Sequence, residues 1–346
     1  MSLSLDKIYI KHWIRTIAPN VRNFIKDKPI GFLDLVMHYI HIEDSIHYEC
    51  LKTNNYTLYD EYIHTSGQKD HSQKKFKILR DEWTIEKMQP INLTVEFDLL
   101  CVIDGVHRLA IFKYLYDTDR IPLKFVNINY PIKVIDEISK ALIETTTTIH
   151  YNGWTNGRLK HGYHSFEIYN VKFEGQRNPK IRLDIMRKFY NFENKIVLDL
   201  GCNTGGMLFH LSEIKQGVGV DFDIKCIDAC NVIKQQLKLF DYLEFQQQDL
   251  NNVDLNILLT NTKPDVVFLL SLGSWVKNWP AMYTTVIKNT QTIILETNNS
   301  HEGKAQLDLF EKLGCTITLI SPASYDDITK NSGRQTYLIN TTKTSS

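Results

Sequence analysis

From Lys195 onward the chain alternates short apolar runs with longer stretches of helical period. The runs are Ile196 to Leu200, Gly217 to Val220, Val266 to Leu270 and Thr292 to Leu295, with the more polar Leu243 to Gln247 as a further expected strand. Stretches such as IDACNVIKQQLKLF lie between them. The alternation predicts parallel strands buried on both faces, with helices packed over them. Cys315 to Leu319 and Gln335 to Ile339 predict a closing antiparallel pair, which brings the count to seven strands. An amphipathic helix, IRLDIMRKFYNF, leads into the first of them.

The pattern before Lys195 is different. Residues 1 to about 48 carry apolar positions near helical spacing and predict mostly helix, and the polar stretch from 52 to 75 predicts an exposed loop. Phe76 to Met88 has helical spacing, while Ile91 to Phe97, Leu99 to Ile103 and Pro122 to Val126 predict strands. The helix LAIFKYLY lies between the last two. The expected organisation is a smaller α+β domain over 1–130, a connector over 131–185 and an α/β domain over 186–342. The connector turns helical at VIDEISKALIETT and then becomes dense in glycine and aromatics, with turn signals at Asn152-Gly153 and Asn156-Gly157.

Composition adds boundaries. A hydrophobic share of 43% is enough for sizeable cores, and 40 basic residues balance 40 acidic ones. The balance gives no global attraction to nucleic acid or membrane. No apolar run reaches the roughly eighteen residues that a membrane span needs, and the N-terminus lacks a signal-peptide core, so a cytoplasmic location is expected. The six cysteines form no CxxC pair and read as reduced, mostly buried thiols, with no metal implied.

The chemistry concentrates at Lys195 to Gly206, KIVLDLGCNTGG. The strand stops at Gly201, Cys202, Asn203 and Thr204 turn, and Gly205 and Gly206 open a helix. Such a turn lets a ligand reach bare backbone, with helix N–H groups pointing at it. Asp199, near the strand end, is suited to hold a ligand's ammonium group. Asn203 in place of the middle glycine departs from the dinucleotide fingerprint. The stretch resembles the first motif of class I S-adenosylmethionine-dependent methyltransferases. That resemblance implies a Rossmann-like seven-stranded core, S-adenosylmethionine as cofactor, and a preceding segment that closes over it. Asp221, about 20 residues past the turn, suits the ribose hydroxyls, with Phe222 against the adenine. Asp249 resembles the family residue that accepts from the adenine amino group. Leu250, Ser271 and Arg182 complete the expected cofactor set with Gly201, Cys202, Asn203 and Gly205.

A second informative stretch is Asp104-Gly105-Val106-His107-Arg108, between a strand and a helix. It resembles the nucleotide-binding turn of the ParB-like/sulfiredoxin fold. The resemblance implies a site for ATP or another nucleotide at Asp104, Gly105, His107 and Arg108, where a helix N-terminus and two donors favour phosphate. The same turn also serves a purely structural purpose if Asp104 caps the helix and His107 packs.

The acceptor is less readable. No Asn-Pro-Pro-Tyr or Asp-Pro-Pro-Tyr follows the fourth strand, which argues against amino-methyltransferases of adenine, cytosine or glutamine. Candidate groups beyond the fourth and fifth strands are Trp275, Lys277, Glu296, Asn298, His301 and Glu302, with Glu296 and His301 expected as base or acceptor. GQRNPKIRLD…VLDLGCNTGGMLFHL resembles bacterial methyltransferases of surface-polysaccharide or other small-molecule pathways. LLSLGSWVKNW resembles a segment of RNA 5′-phosphate-capping methyltransferases, with Ser274 where that family has lysine. The expectation is methyl transfer to oxygen or nitrogen of a small molecule or glycan. An RNA or nucleotide 5′-end acceptor and a non-catalytic cofactor-binding module are the alternatives.

Overall fold

A computed structural model describes residues 2–13, 19–26, 30–33, 37–66, 71–96, 99–146, 161–298, 300–327 and 331–341. The chain divides into two compact units, Met1–Pro131 and Ile132–Ser346. The helix predicted at VIDEISKALIETT belongs to the second. The turns at Asn152-Gly153 and Asn156-Gly157 lie outside the described residues.

The first unit contains β1 (Ser2–Ser4), β2 (Ile8–Trp13), α1 (Pro19–Lys26), β3 (Ile30–Leu33), β4 (Met37–His41), α2 (Ile46–Thr53), α3 (Thr57–Ser66) and α4 (Gln73–Asp81). It continues with β5 (Ile91–Glu96), β6 (Leu99–Asp104), α5 (Val106–Tyr116), β7 (Arg120–Pro122) and β8 (Val126–Asn129). Six strands form one sheet in the order β3-β4-β2-β6-β5-β8, and β1 pairs with β7. Among the described residues of the first 48, four strands stand where the spacing predicts helix. Ile8 and Ile10 are both buried, with Tyr9 more exposed between them, a period of two that a helical window obscures. The expected loop at 52–75 contains α3. Tyr59, Tyr62 and Ile63 bury one face of that helix, which its polar composition masked.

The second unit contains α6 (Ile132–Thr145), the hairpin β9 (Phe166–Ile168) and β10 (Val171–Phe173), α7 (Pro179–Met186), β11 (Ile196–Leu200) and α8 (Gly206–Phe209). It continues with β12 (Gln216–Asp221), α9 (Ile224–Leu237), β13 (Leu243–Gln247), α10 (Leu255–Thr262), β14 (Val266–Leu270), α11 (Trp279–Asn289) and β15 (Thr292–Glu296). The last elements are α12 (Ser300–Lys312), β16 (Thr316–Ser321) and β17 (Thr336–Asn340). Its sheet runs β13-β12-β11-β14-β15-β17-β16, parallel except for β17, which is antiparallel to both β15 and β16. This is a Rossmann-like, seven-stranded α/β core. Strand order reverses between β11 and β14, where open α/β sheets bind ligands beyond their carboxyl ends.

Local chemistry sets the element ends. Asn178 caps α7, its Oδ1 accepting from the Lys180 and Ile181 N–H groups ahead of Pro179. Asp223 and Asp254 cap α9 and α10 in the same way. One face of the sheet packs Leu198, Leu200, Val267, Leu269 and Ile293 against Tyr283, Val286 and Phe310 of α11 and α12. On the other face α6 lies along α9. No helix among the described residues is long and apolar enough to cross a membrane.

Candidate active site

The carboxyl end of β11 is a turn with three left-handed residues, Gly201 (φ +78°), Asn203 (φ +51°) and Gly205 (φ +68°). Asparagine tolerates that conformation where most side chains do not, so Asn203 does the work of a glycine here. The Asn203 N–H donates to Asp221 Oδ2 at 2.8 Å, and the Asp223 N–H donates to Asp221 Oδ1 at 3.0 Å. Asp221, at the end of β12, is thus fixed by the turn beside it. Burial raises its pKa against the pull of these backbone donors.

Gly201, Asn203, Asp221 and Asp223 line a cavity of about 460 Å³. Gly201, Asn203, Asp221, Phe222, Asp249, Leu250 and Ser271 of the expected cofactor set all face it. Phe222 is half exposed at its wall, placed to stack on a flat ring. Asp249 is held by the Asn251 N–H at 2.9 Å and by the Asn251 and Asn252 amides, which lower its pKa. Ser271 also has a left-handed backbone (φ +56°), at the end of β14. Strain of this kind collects where a site dictates the backbone.

A second, small cavity adjoins the first through Tyr163, Gly201 and Leu270. His164, Arg177, Arg182, Asp199 and Cys202 complete most of its lining. Asp199 is 2% exposed and accepts no hydrogen bond from the described residues. Burial pushes its pKa up to about 7, with Arg182 opposing and Asp221 reinforcing the shift. Arg182 has a complementary defect. Its Nη2 donates to Glu296 at 2.9 Å, but its buried Nε–H has no partner. An unpartnered carboxylate thus lines this cavity of about 20 Å³, and the unpartnered Nε–H belongs to an arginine of the same lining.

The remaining expected residues differ in placement. Cys202 is buried beneath the turn, with its thiol near Cys230 and burial raising its pKa, so it packs and does not face the large cavity. Gly205 starts α8, and a Cβ there would meet the Phe245 ring at 2.7 Å. Glu296 is not available as the expected base. It receives bidentate bonds from Arg177 (3.1 and 2.9 Å), one from Arg182, and one from the Ser271 hydroxyl. Burial would raise its pKa, yet Arg182 and Arg177 hold it well below the usual carboxylate range. His301 lies in α12, with its side chain outside the described residues. Trp275 lines the large cavity. The Lys277 N–H donates to Asn251, Glu302 accepts from Ser274, and Asn298 donates to the Ser271 carbonyl.

Sequence reading missed Arg177, which is 1% exposed. It bridges Glu296, Asp326 and Asp327, joining the segment after β10 to the segment after β16. It also missed His164, which packs on the turn so closely that a Cβ at Gly206 would sit 2.5 Å from it. Burial, then Arg182 and Arg177, push the His164 pKa well down, so it is neutral. No local pattern announces either residue, since both work through partners more than 100 positions away or through an irregular segment.

In the first unit, Asp104 accepts from Arg108 Nη2 at 2.7 Å and from Asn92 at 3.3 Å. Gly105, at φ +100°, precedes α5. His107 bonds the Tyr59 hydroxyl at 2.6 Å, stacks on His71 and meets Phe76 edge-on. Burial, then His71 and Arg108, lower its pKa to about 3. Asp104 and Arg108 are thus committed to each other, and His107 to an aromatic cluster.

The Asp199 geometry gives a pH prediction. A carboxyl whose folded pKa is raised to about 7 stabilises the unliganded fold most below its unfolded value of about 4, and that contribution is lost as pH rises through 7. A cationic ligand favours the ionised form, so its binding releases a proton below pH 7. Affinity for an amino-acid-bearing cofactor should rise up to about tenfold per pH unit towards 7 and level off above it. Dissociation constants between pH 5.5 and 8.5 measure this; a flat profile would remove Asp199 from the ammonium site.

No family model matches the chain. A tRNA U34 carboxymethyltransferase from Sulfurimonas denitrificans is 31% identical over 58 residues, covering 17% of this chain and 20% of that protein. The chain thus spans about a fifth of the length of that curated relative. Among solved structures, the bifunctional kinase-methyltransferase WbdD is 21% identical with a TM-score of 0.40, over 48% of this chain and 40% of its own. Magnesium protoporphyrin IX methyltransferase (ChlM) from Synechocystis PCC 6803 with bound S-adenosylmethionine is 16% identical with a TM-score of 0.37, over 47% and 76%. The methyltransferase domain of bacterial CtHen1 is 16% identical with a TM-score of 0.36, over 47% and 96%. At that level of likeness the chemistry of the site rests on this chain's own residues.

Proposed function

We propose that the second unit is an S-adenosylmethionine-dependent methyltransferase acting on oxygen or nitrogen of a small molecule or glycan. The observation that carries the reading is the buried, unpartnered Asp199 carboxylate, which lines a small cavity together with Arg182, adjoining a larger one walled by Asp221, Phe222 and Asp249. An amino-acid head and a nucleoside are the two ends of this cofactor. When bound it supplies a methyl group on a sulfonium centre. Asp199 and Arg182 would hold the head, Asp221 the ribose hydroxyls, and Phe222 with Asp249 the adenine. His164 and Tyr163 shield the turn from water, which the transfer requires in order to favour the acceptor over solvent. A nucleotide or RNA 5′-end remains the alternative acceptor, favoured by the half-exposed Trp275 on the cavity wall.

Calorimetric titration with S-adenosylmethionine and S-adenosylhomocysteine, in parallel with ATP, tests the reading. Binding of the first two, weakened by Asp199→Asn, is the expected result. Silence from both with binding of ATP would move the ligand site to the Asp104–Arg108 turn.

A further inference from the structure

The large cavity has two chemically unlike sides, and the sheet order separates them. Asp221 and Asp249 follow β12 and β13, at one end of the sheet. Asn331 and Arg334 lie between β16 and β17, beyond β14 and β15 on the other side of the switch point. A cofactor stretched from β13 to β11 leaves this second side for the acceptor, an assignment that rests on the methyltransferase reading.

Arg334 is the one positively charged residue among the described residues that line the cavity. It is 8% exposed. Its Nε donates to the Asn298 carbonyl at 3.1 Å. Its Nη1 reaches Asp327 only at 3.5 Å, and Asp327 already has an ion-pair partner in Arg177 at 3.1 Å and a donor in Gln176 at 2.8 Å. Its Nη2 has no partner among the described residues. Asn331 is 7% exposed, lines the same wall, and its side chain makes no hydrogen bond to the described residues. A guanidinium this buried is costly unless its charge and its N–H groups are met. The Arg334 Nη2 and the Asn331 amide make no hydrogen bond to the described residues, and both residues line the same cavity.

We propose that the methyl acceptor is an anionic molecule whose carboxylate or phosphate is bound by Arg334 and Asn331. The fork of Arg334 matches two oxygens of either group, and the Asn331 amide adds a neutral donor beside it. The acidic side of the cavity repels the same anion, so the acceptor enters in one orientation. The cofactor's sulfonium adds attraction from the centre of the site.

The test uses the full chain saturated with S-adenosylhomocysteine and titrated with inorganic phosphate and, separately, acetate. The wild type should bind one of them, and which one distinguishes a phosphorylated acceptor from a carboxylic acid. Arg334→Gln should weaken that binding about tenfold or more while leaving the S-adenosylhomocysteine affinity within about twofold. Asn331→Asp removes no described bond and sets a carboxylate beside Arg334. It should have the same effect, and it decides the matter if Arg334→Gln fails to fold. The proposal is overturned if the nucleoside binds but neither anion does, or if anion binding is indifferent to both substitutions. Failure of the wild type to bind S-adenosylhomocysteine would instead sink the methyltransferase reading. The same titrations on the unliganded chain would still read the Arg334 site: loss of anion binding in both variants supports it, and indifference overturns it.

Discussion

Replacing Arg177 by methionine should destabilise the second unit by about 3–5 kcal/mol. Its guanidinium is the hub of a buried network. Nε and Nη2 bond both oxygens of Asp326 at 3.0 Å, Nη1 and Nη2 bond both oxygens of Glu296, and Nη1 lies 3.1 Å from Asp327. Arg177 and Arg182 face three carboxylates, 296, 326 and 327, so removing Arg177 leaves most of that negative charge unpaired in a dry place. Methionine keeps the volume of the stem, which separates lost charge pairing from a lost packing volume. The pH dependence gives an independent sign. Glu296 has a depressed folded pKa, so in the wild type its contribution is full above about pH 4.5 and is lost as pH falls below that. In Arg177→Met it keeps Arg182 as its one ion-pair partner among the described residues, its folded pKa rises, and acidification from pH 7 to 5 should recover part of the loss. Urea unfolding at the two pH values measures both effects. A midpoint shift worth less than about 1 kcal/mol at pH 7 would show that the network does not hold these segments together.

The same network explains why the site was only half readable from sequence. Asp199, Gly201 and Asn203 sit within five residues of each other, so a strand–turn–helix pattern exposes them directly. Asp221 and Asp249 follow from strand ends, because a parallel sheet brings all its carboxyl ends to one side. The acceptor side has no such rule. Arg334 lies between β16 and β17, and nothing near it in sequence says that it is buried beside Asp327. Glu296 shows the converse error. A carboxylate at a strand end is the right residue type for a base, but its protonation state is decided by Arg177 and Arg182, 119 and 114 positions away. In the first unit the period-two pattern of Ile8 and Ile10 was hidden within a window that also fits a helix.

Asp221→Ala should lower the affinity for S-adenosylmethionine and S-adenosylhomocysteine by about 100-fold or more and leave the fold nearly unchanged. The carboxylate faces the cavity from the end of β12, and hydrogen bonds from two ribose hydroxyls to a charged acceptor are each worth about 1.5–3 kcal/mol. Its contribution to stability is small by comparison. Burial already disfavours its charge, and the Asn203 and Asp223 N–H groups that it accepts border a cavity that admits water. The change in unfolding free energy should stay within about 1 kcal/mol. Asp221→Asn separates the two roles of the side chain. It keeps one carbonyl oxygen for the turn and loses the charge, so it should retain the fold and recover only part of the affinity. If the turn were all that Asp221 served, the asparagine variant would bind like the wild type. Binding by the alanine variant at wild-type strength, in a folded protein, would place the nucleoside away from β12 and with it the whole orientation of the cofactor across the switch point.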